Sequence, residues 1–121
     1  MDFQHKKAIY LQIADFVCEQ ILLKNWTDKI PSVRELAVTL EVNPNTVVRT
    51  YGFLEERDII TMRRGIGYFL SDRAYEHAID FKKHEFMTED LPNVLKLMDL
   101  LNISFDDFRK LYNERGQYEK E

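Results

Sequence analysis

The run over residues 43–56, Asn43-Pro44-Asn45-Thr46-Val47-Val48-Arg49-Thr50-Tyr51-Gly52-Phe53-Leu54-Glu55-Glu56, constrains this chain more than any other stretch. Asn43 is a favoured N-cap, and Pro44 suits the first helical position, where no amide hydrogen is needed. Proline also pushes Asn43 away from helical dihedrals, as a cap requires. At about 100° per residue, Val47, Thr50, Tyr51 and Leu54 collect on one side of the predicted helix. Asn45, Thr46 and Arg49 collect on another. The first set is suited to burial. The second is a short hydrogen-bonding set beside the helix N-terminus, where the amide dipoles favour phosphate. Such a front suits the major groove of DNA, although an ordinary surface helix could carry the same residues.

Net charge at first opposes a nucleic-acid partner, since the chain carries −4 over 121 residues. Its distribution answers the objection. Residues 1–73 hold ten Lys+Arg and ten Asp+Glu, whereas residues 74–121 hold seven and eleven, so the whole deficit lies in the second part. Phosphate responds to a local basic face more than to the total charge. The length allows one domain, or a small domain with an appendage. There is no apolar run behind Met1-Asp2-Phe3-Gln4-His5-Lys6-Lys7, and no segment of transmembrane length, so no membrane partner is expected. The single Cys18 falls inside a helical pattern and fits a packed thiol in a cytoplasmic protein.

Upstream, residues 8–24 predict a first helix, with Ile9, Ile13, Phe16, Val17 and Ile21 at helical spacing. Trp26 reads as an anchor for the polar loop that follows. Ser32 with Glu35 three residues on forms a capping box for a second helix, whose apolar stripe is Val33, Leu36, Ala37 and Leu40. Arg34 lies off that stripe in the first turn, where a cation opposes the helix dipole unless a phosphate or a guanine edge is near. A turn of three to four residues then separates this helix from the one at residues 43–56, as in a helix-turn-helix. Downstream, Ile59-Ile60-Thr61-Met62 and Tyr68-Phe69-Leu70 are β-prone runs around Arg63-Arg64-Gly65-Ile66-Gly67. They predict a hairpin with Arg63 and Arg64 at its tip, placed to reach DNA backbone or the minor groove.

Several of these motifs, in this order and spacing, resemble the N-terminal domain of GntR-type bacterial transcription regulators. They are Pro31-Ser32-Val33-Arg34-Glu35-Leu36-Ala37, Val42-Asn43-Pro44-Asn45-Thr46-Val47, Tyr51, Leu54-Glu55 and Arg63-Arg64-Gly65-Ile66-Gly67-Tyr68-Phe69, with Ile9-Tyr10-Leu11-Gln12-Ile13 resembling the opening helix. The resemblance covers about residues 8–71. It implies a winged helix-turn-helix DNA-binding domain over residues 1–71, with Arg34, Asn45, Thr46, Arg49 and Gly65 at or beside DNA contacts. Ser32, Asn43, Arg63, Arg64 and Gly67 complete the expected DNA-binding set. Glu41 and Asp58 depart from it, because many relatives carry glycine there. If those positions are left-handed, each non-glycine costs about 1 kcal/mol.

Residues 72–121 are too few for a large ligand-binding domain and resemble the tail of the family's short YtrA-like subfamily. Asp72 is placed to cap a helix bearing Tyr75, Ala78, Ile79, Phe81 and Phe86. Leu91, Val94, Leu95, Met98 and Leu101 mark another from about Asp90, with Pro92 in its first turn. Ser104 opens a third, with Phe105, Phe108, Leu111 and Tyr112 apolar, and residues 116–121 are expected to fray. So small a unit cannot easily cover its own apolar surface. A twofold homodimer through Tyr75, Ile79, Phe86, Leu91, Leu95, Met98, Leu101, Phe105 and Phe108 would cover it, and would set two recognition helices on a palindromic operator.

No catalytic constellation is visible. His5, His77 and His84 are scattered, Cys18 has no base near it in sequence, and Gly65-Ile66-Gly67 lacks the helix start of a phosphate loop. No metal or cofactor is expected, and the chain does not read as an enzyme. The sequence therefore supports a mainly α fold with a small β-hairpin: a winged helix-turn-helix plus a helical dimerisation tail. The function it implies is a DNA-binding regulator, a repressor acting as a homodimer on double-stranded DNA, with a small-molecule effector left open. The alternative is a winged-helix protein-interaction module with an acidic docking tail.

Overall fold

The computed structural model describes residues 7–119, with side chains as far as Gly116. The elements in order are α1 (Ile9–Leu22), α2 (Val33–Leu40), α3 (Pro44–Glu56), β1 (Ile60–Arg63), β2 (Gly67–Leu70), α4 (Ala74–Glu85), a π-helical turn (Phe86–Asp90), α5 (Leu91–Leu100) and α6 (Phe105–Glu119). They form two compact units, Met1–Lys83 and His84–Glu121. Among the described residues no helix is long and apolar enough to cross a membrane.

The first unit is built around the back of α3. Val47, Thr50, Tyr51 and Leu54 are buried against Ile13, Ala14, Val17, Cys18 and Ile21 of α1 and Leu36 and Ala37 of α2. Each large apolar side chain removed from water contributes about 1.5–3 kcal/mol. Two polar side chains in this core, Thr50 and Tyr51, are both satisfied. The Thr50 hydroxyl lies 2.9 Å from the Tyr10 carbonyl and 3.0 Å from that of Thr46, and its one proton is shared between them. The Tyr51 hydroxyl donates to the Pro31 carbonyl at 2.7 Å. Burial pushes the Tyr51 phenol far above its ordinary value, so it stays a donor at every physiological pH. Ile9, expected on the buried stripe of α1, is instead exposed at the first position of that helix.

Helix ends follow one device. Lys24, Glu41, Asp58 and Asn102 all have positive φ, between 56° and 61°. In each case the next residue sends its amide back five positions, as Val42 does to Ala37 (3.0 Å) and Ile59 to Leu54 (3.0 Å). These are left-handed helix stops of the kind that favours glycine. The departures at Glu41 and Asp58 therefore do carry strain.

β1 and β2 pair antiparallel with Ile60 opposite Leu70 and Arg63 opposite Gly67. The strands sit one residue later and one residue earlier than expected. Arg63 thus closes β1 instead of lying at the tip, and its guanidinium lies 4.1 Å from the Phe69 ring centroid. The tip is Arg64-Gly65-Ile66, with Gly65 at φ 76°. A third segment joins the hairpin: Ile30 N–H donates to Tyr68 O (3.0 Å) and Leu70 N–H to Asp28 O (2.8 Å). Trp26, half-buried and edge-on to Phe16 at 6.0 Å, fastens the preceding loop.

α4 begins at Ala74, so Asp72 falls in the turn before it and not at its cap. Ala74 and Ala78 are buried in the first core, and Lys82 pairs with Asp15 of α1 at 3.2 Å. The first unit consequently runs on to Lys83, past the expected boundary after residue 71.

In the second unit, the expected break near Asp90 is a widened helical turn. Leu91 N–H reaches back to Phe86 O, and this wider turn accommodates Pro92, which has no amide to offer. Side chains satisfy loosened carbonyls: Thr88 donates to His84 O (2.8 Å) and Asn93 to Glu89 O (3.1 Å). Ser104 and Asp107 form a capping box for α6, with both bonds at 3.1 Å. α6 runs past Gly116 to Glu119; residues 120 and 121, the end of the segment expected to fray, lie outside the described residues. From His84 to Gly116 no described side chain is buried.

Replacing Glu41 with glycine should relieve the left-handed strain and raise stability by about 0.5–1 kcal/mol, read as a higher urea midpoint with an unchanged slope. An unchanged or lowered midpoint would show that Glu41 is not strained.

Candidate nucleic-acid interface

Once the back of α3 is buried, its front has one orientation left. Asn45 and Arg49 are exposed and Thr46 is half-exposed. With Asn43 they line an open depression of about 400 Å³, whose far wall is Ala8, Ile9 and Tyr10 from the start of α1. Asn43 is the N-cap, its side-chain oxygen accepting from Asn45 N–H at 2.8 Å, and Pro44 opens the helix. The depression therefore holds amide, hydroxyl and guanidinium groups beside a positive helix end. This is the chemistry of base edges and phosphates.

Arg49 does not dangle. Its guanidinium carbon lies 3.8 Å from the centre of the Tyr10 ring. Stacking uses the face of the cation and leaves its in-plane N–H groups open to a ligand.

Ser32 and Arg34 belong to a different part of the surface. Ser32 Oγ accepts from Glu35 N–H at 3.1 Å, and Ser32 N–H donates to Glu35 Oε1 at 2.9 Å. Hydrogen bonding from Ser32 to the carboxylate, chiefly from the Ser32 backbone N–H, holds the Glu35 carboxyl below its ordinary value. Arg34 is exposed in the first turn of α2. Arg63, Arg64, Gly65 and Gly67 sit on the hairpin. Gly67 has a structural reason to be glycine, because its φ is 138° and an added Cβ would lie 3.2 Å from Lys29 Cε. That makes Gly67 a support of the wing, with Lys29 an exposed cation beside it.

Two contributors were not found from the sequence. Tyr10 was read only as part of an opening helix, and Lys29 only as a loop residue. Their contacts join residues far apart in the chain, and no local pattern encodes them.

The family model for bacterial regulatory proteins of the gntR family matches residues 9–70, just over half of the chain. The chain is 39% identical to the HTH-type transcriptional regulator YhcF of Bacillus subtilis, over 94% of its own length and 97% of that protein's. The chain belongs to the GntR family. It is also 46% identical to the HTH-type transcriptional repressor YtrA of Bacillus subtilis, over 68% of this chain and 65% of that one. A crystal structure of a GntR-family chain from Bacteroides thetaiotaomicron superposes with a TM-score of 0.74 at 38% identity, covering 93% of this chain and 99% of that one.

This GntR-family chain is therefore a DNA-binding transcriptional regulator with a winged helix-turn-helix fold, and its relatives are regulators and not enzymes. The depression along α3 and the wing beside it are the parts of that fold whose chemistry suits a duplex.

The capping box gives a pH test. A carboxyl held below its ordinary value stabilises the fold above that value, 4.5 for glutamate, and the contribution is lost as pH falls through the folded-state pKa. Glu35→Gln should therefore flatten the decline of Tm below pH 4.5 relative to the parent protein. Parallel melting curves with identical acid limbs would show that the box contributes nothing.

Proposed function

We propose that this regulator is a repressor that binds a palindromic operator as a homodimer. The observation that carries the reading is the outward front of α3, in which Asn45, Thr46 and Arg49 stand together because Val47, Thr50, Tyr51 and Leu54 are buried behind them. In this reading Asn45, Thr46 and Arg49 meet base edges, with Asn43 and the α3 N-terminus against a phosphate. Arg34 and Ser32 reach the neighbouring backbone from α2. Arg63, Arg64 and the Gly65 amide hold the flanking strand from the wing, and Gly67 keeps the wing in shape. The naming of the relative YtrA as a repressor supports the sign of the regulation. A duplex target implies the cytoplasm, and the reading requires no effector.

The second unit supplies the dimer. Phe86, Leu95, Leu101, Phe105 and Phe108 are between 39% and 64% exposed, and Leu91 and Met98 are only half-covered. Tyr75 and Ile79 of α4 are exposed as well. Apolar area of this extent on a unit with no buried side chain among its described residues favours a second copy of the same face. Two copies would set their α3 helices on half-sites about 34–36 Å apart, or a multiple of that.

Selection from random duplexes followed by mobility shifts tests the DNA half. Arg49→Ala and Arg34→Ala should each lose about 1–3 kcal/mol of operator affinity and reduce the salt slope by about one. Unchanged affinity and slope would remove those arginines from the interface. Analytical ultracentrifugation tests the dimer half. Leu101→Glu should shift the protein to monomer and weaken operator binding on the order of a hundredfold, the loss expected when two linked half-sites become independent. A Leu101→Glu protein that stays dimeric would move the interface elsewhere.

A further inference from the structure

We infer that Tyr10 is a positioning residue for DNA recognition: its ring holds Arg49 in the orientation that meets the duplex, so α1 helps to set the specificity of α3. This rests on the DNA role proposed for Arg49. A free arginine samples many rotamers, and fixing one on binding costs entropy. Here the guanidinium is already held, 3.8 Å from the ring centre. Among the described residues no carboxylate pairs with it.

The ring is itself fixed. Tyr10 meets Phe53 of α3 edge-on, with centroids 5.8 Å apart and planes at 76°. Phe53 in turn meets Phe81 of α4 edge-on at 5.5 Å. The Tyr10 backbone is pinned separately by the Thr50 hydroxyl at 2.9 Å. Tyr10 therefore cannot drift away from α3, and a change to its side chain leaves that backbone bond in place. A guanidinium held by its face keeps its edge, the bidentate fork that reads guanine or phosphate, available, and Arg49 lines the open depression.

The test uses the full chain and the duplex obtained by selection. Tyr10→Phe keeps the ring and should bind within about twofold of the parent, whereas Tyr10→Leu should lose roughly fivefold, the size of an exposed cation–π contact. The Tyr10→Leu protein should also relax the same base-pair preference that Arg49→Ala relaxes, while keeping the parent's salt slope. The double variant should bind no more weakly than Arg49→Ala alone. NMR of the free protein provides a direct reading. The Arg49 Cδ protons should be shifted upfield by the ring in the parent and in Tyr10→Phe, and a parent without that shift overturns the inference even if Tyr10→Leu fails to fold. Equal losses for Tyr10→Phe and Tyr10→Leu would assign the effect to the hydroxyl and overturn it too. An Arg49→Ala protein that binds as the parent defeats the DNA role of Arg49. If Arg49→Ala binds weakly and Tyr10→Leu binds as the parent, only the role of Tyr10 is lost.

Discussion

Everything in the first unit follows from how the back of α3 is buried. Val47, Tyr51 and Leu54 provide the apolar contact, but they could tolerate some rotation of the helix about its axis. Thr50 adds direction. Its fully buried hydroxyl has an acceptor within its own helix, the Thr46 carbonyl, and a second on α1, the Tyr10 carbonyl. A hydrogen bond of this kind contributes about 0.5–1.5 kcal/mol net. The bond to Tyr10 therefore favours one rotation of α3 against α1, the one in which Asn45 and Arg49 face outward.

The wing depends on the same core through Tyr51. Its hydroxyl holds Pro31 at 2.7 Å, and its ring meets Tyr68 of β2 at 4.7 Å. The segment around Lys29 and Ile30, just before Pro31, then adds its backbone to the hairpin. Two short strands alone are marginal in water. A third segment, tied down through Pro31, gives the hairpin a fixed base from which the Arg64-Gly65-Ile66 tip projects. Recognition helix and wing are thus oriented by neighbouring residues, Thr50 and Tyr51, on one turn of one helix.

The second unit obeys a different economy. Its helices are amphipathic, yet none of its described side chains is buried. Local interactions make its helices: the capping box at Ser104 and Asp107, and the widened turn that makes room for Pro92. The described residues of the unit cover its apolar faces only in part, and for this reason its role is read as association.

Local chemistry was legible in the amino-acid sequence because it acts within one helical turn or one strand pair. The cap at Asn43, the box at Ser32, the buried set on α3 and the turn glycine at Gly65 are all of that kind, and together they determined the element order and the family. The same reading misplaced Arg63 and Asp72 by a residue or two and took the exposed Ile9 for a buried one, since local pattern does not say where a neighbour ends. Only the tertiary structure decided that Tyr10 stacks on Arg49, that Lys29 joins the hairpin and that Ala78 belongs to the first core. Each of these contacts joins residues many turns apart, and their pairing is set by how whole helices pack. Sequence determined which groups face outward from α3; packing between distant segments decided how firmly, and in what direction, those groups are held.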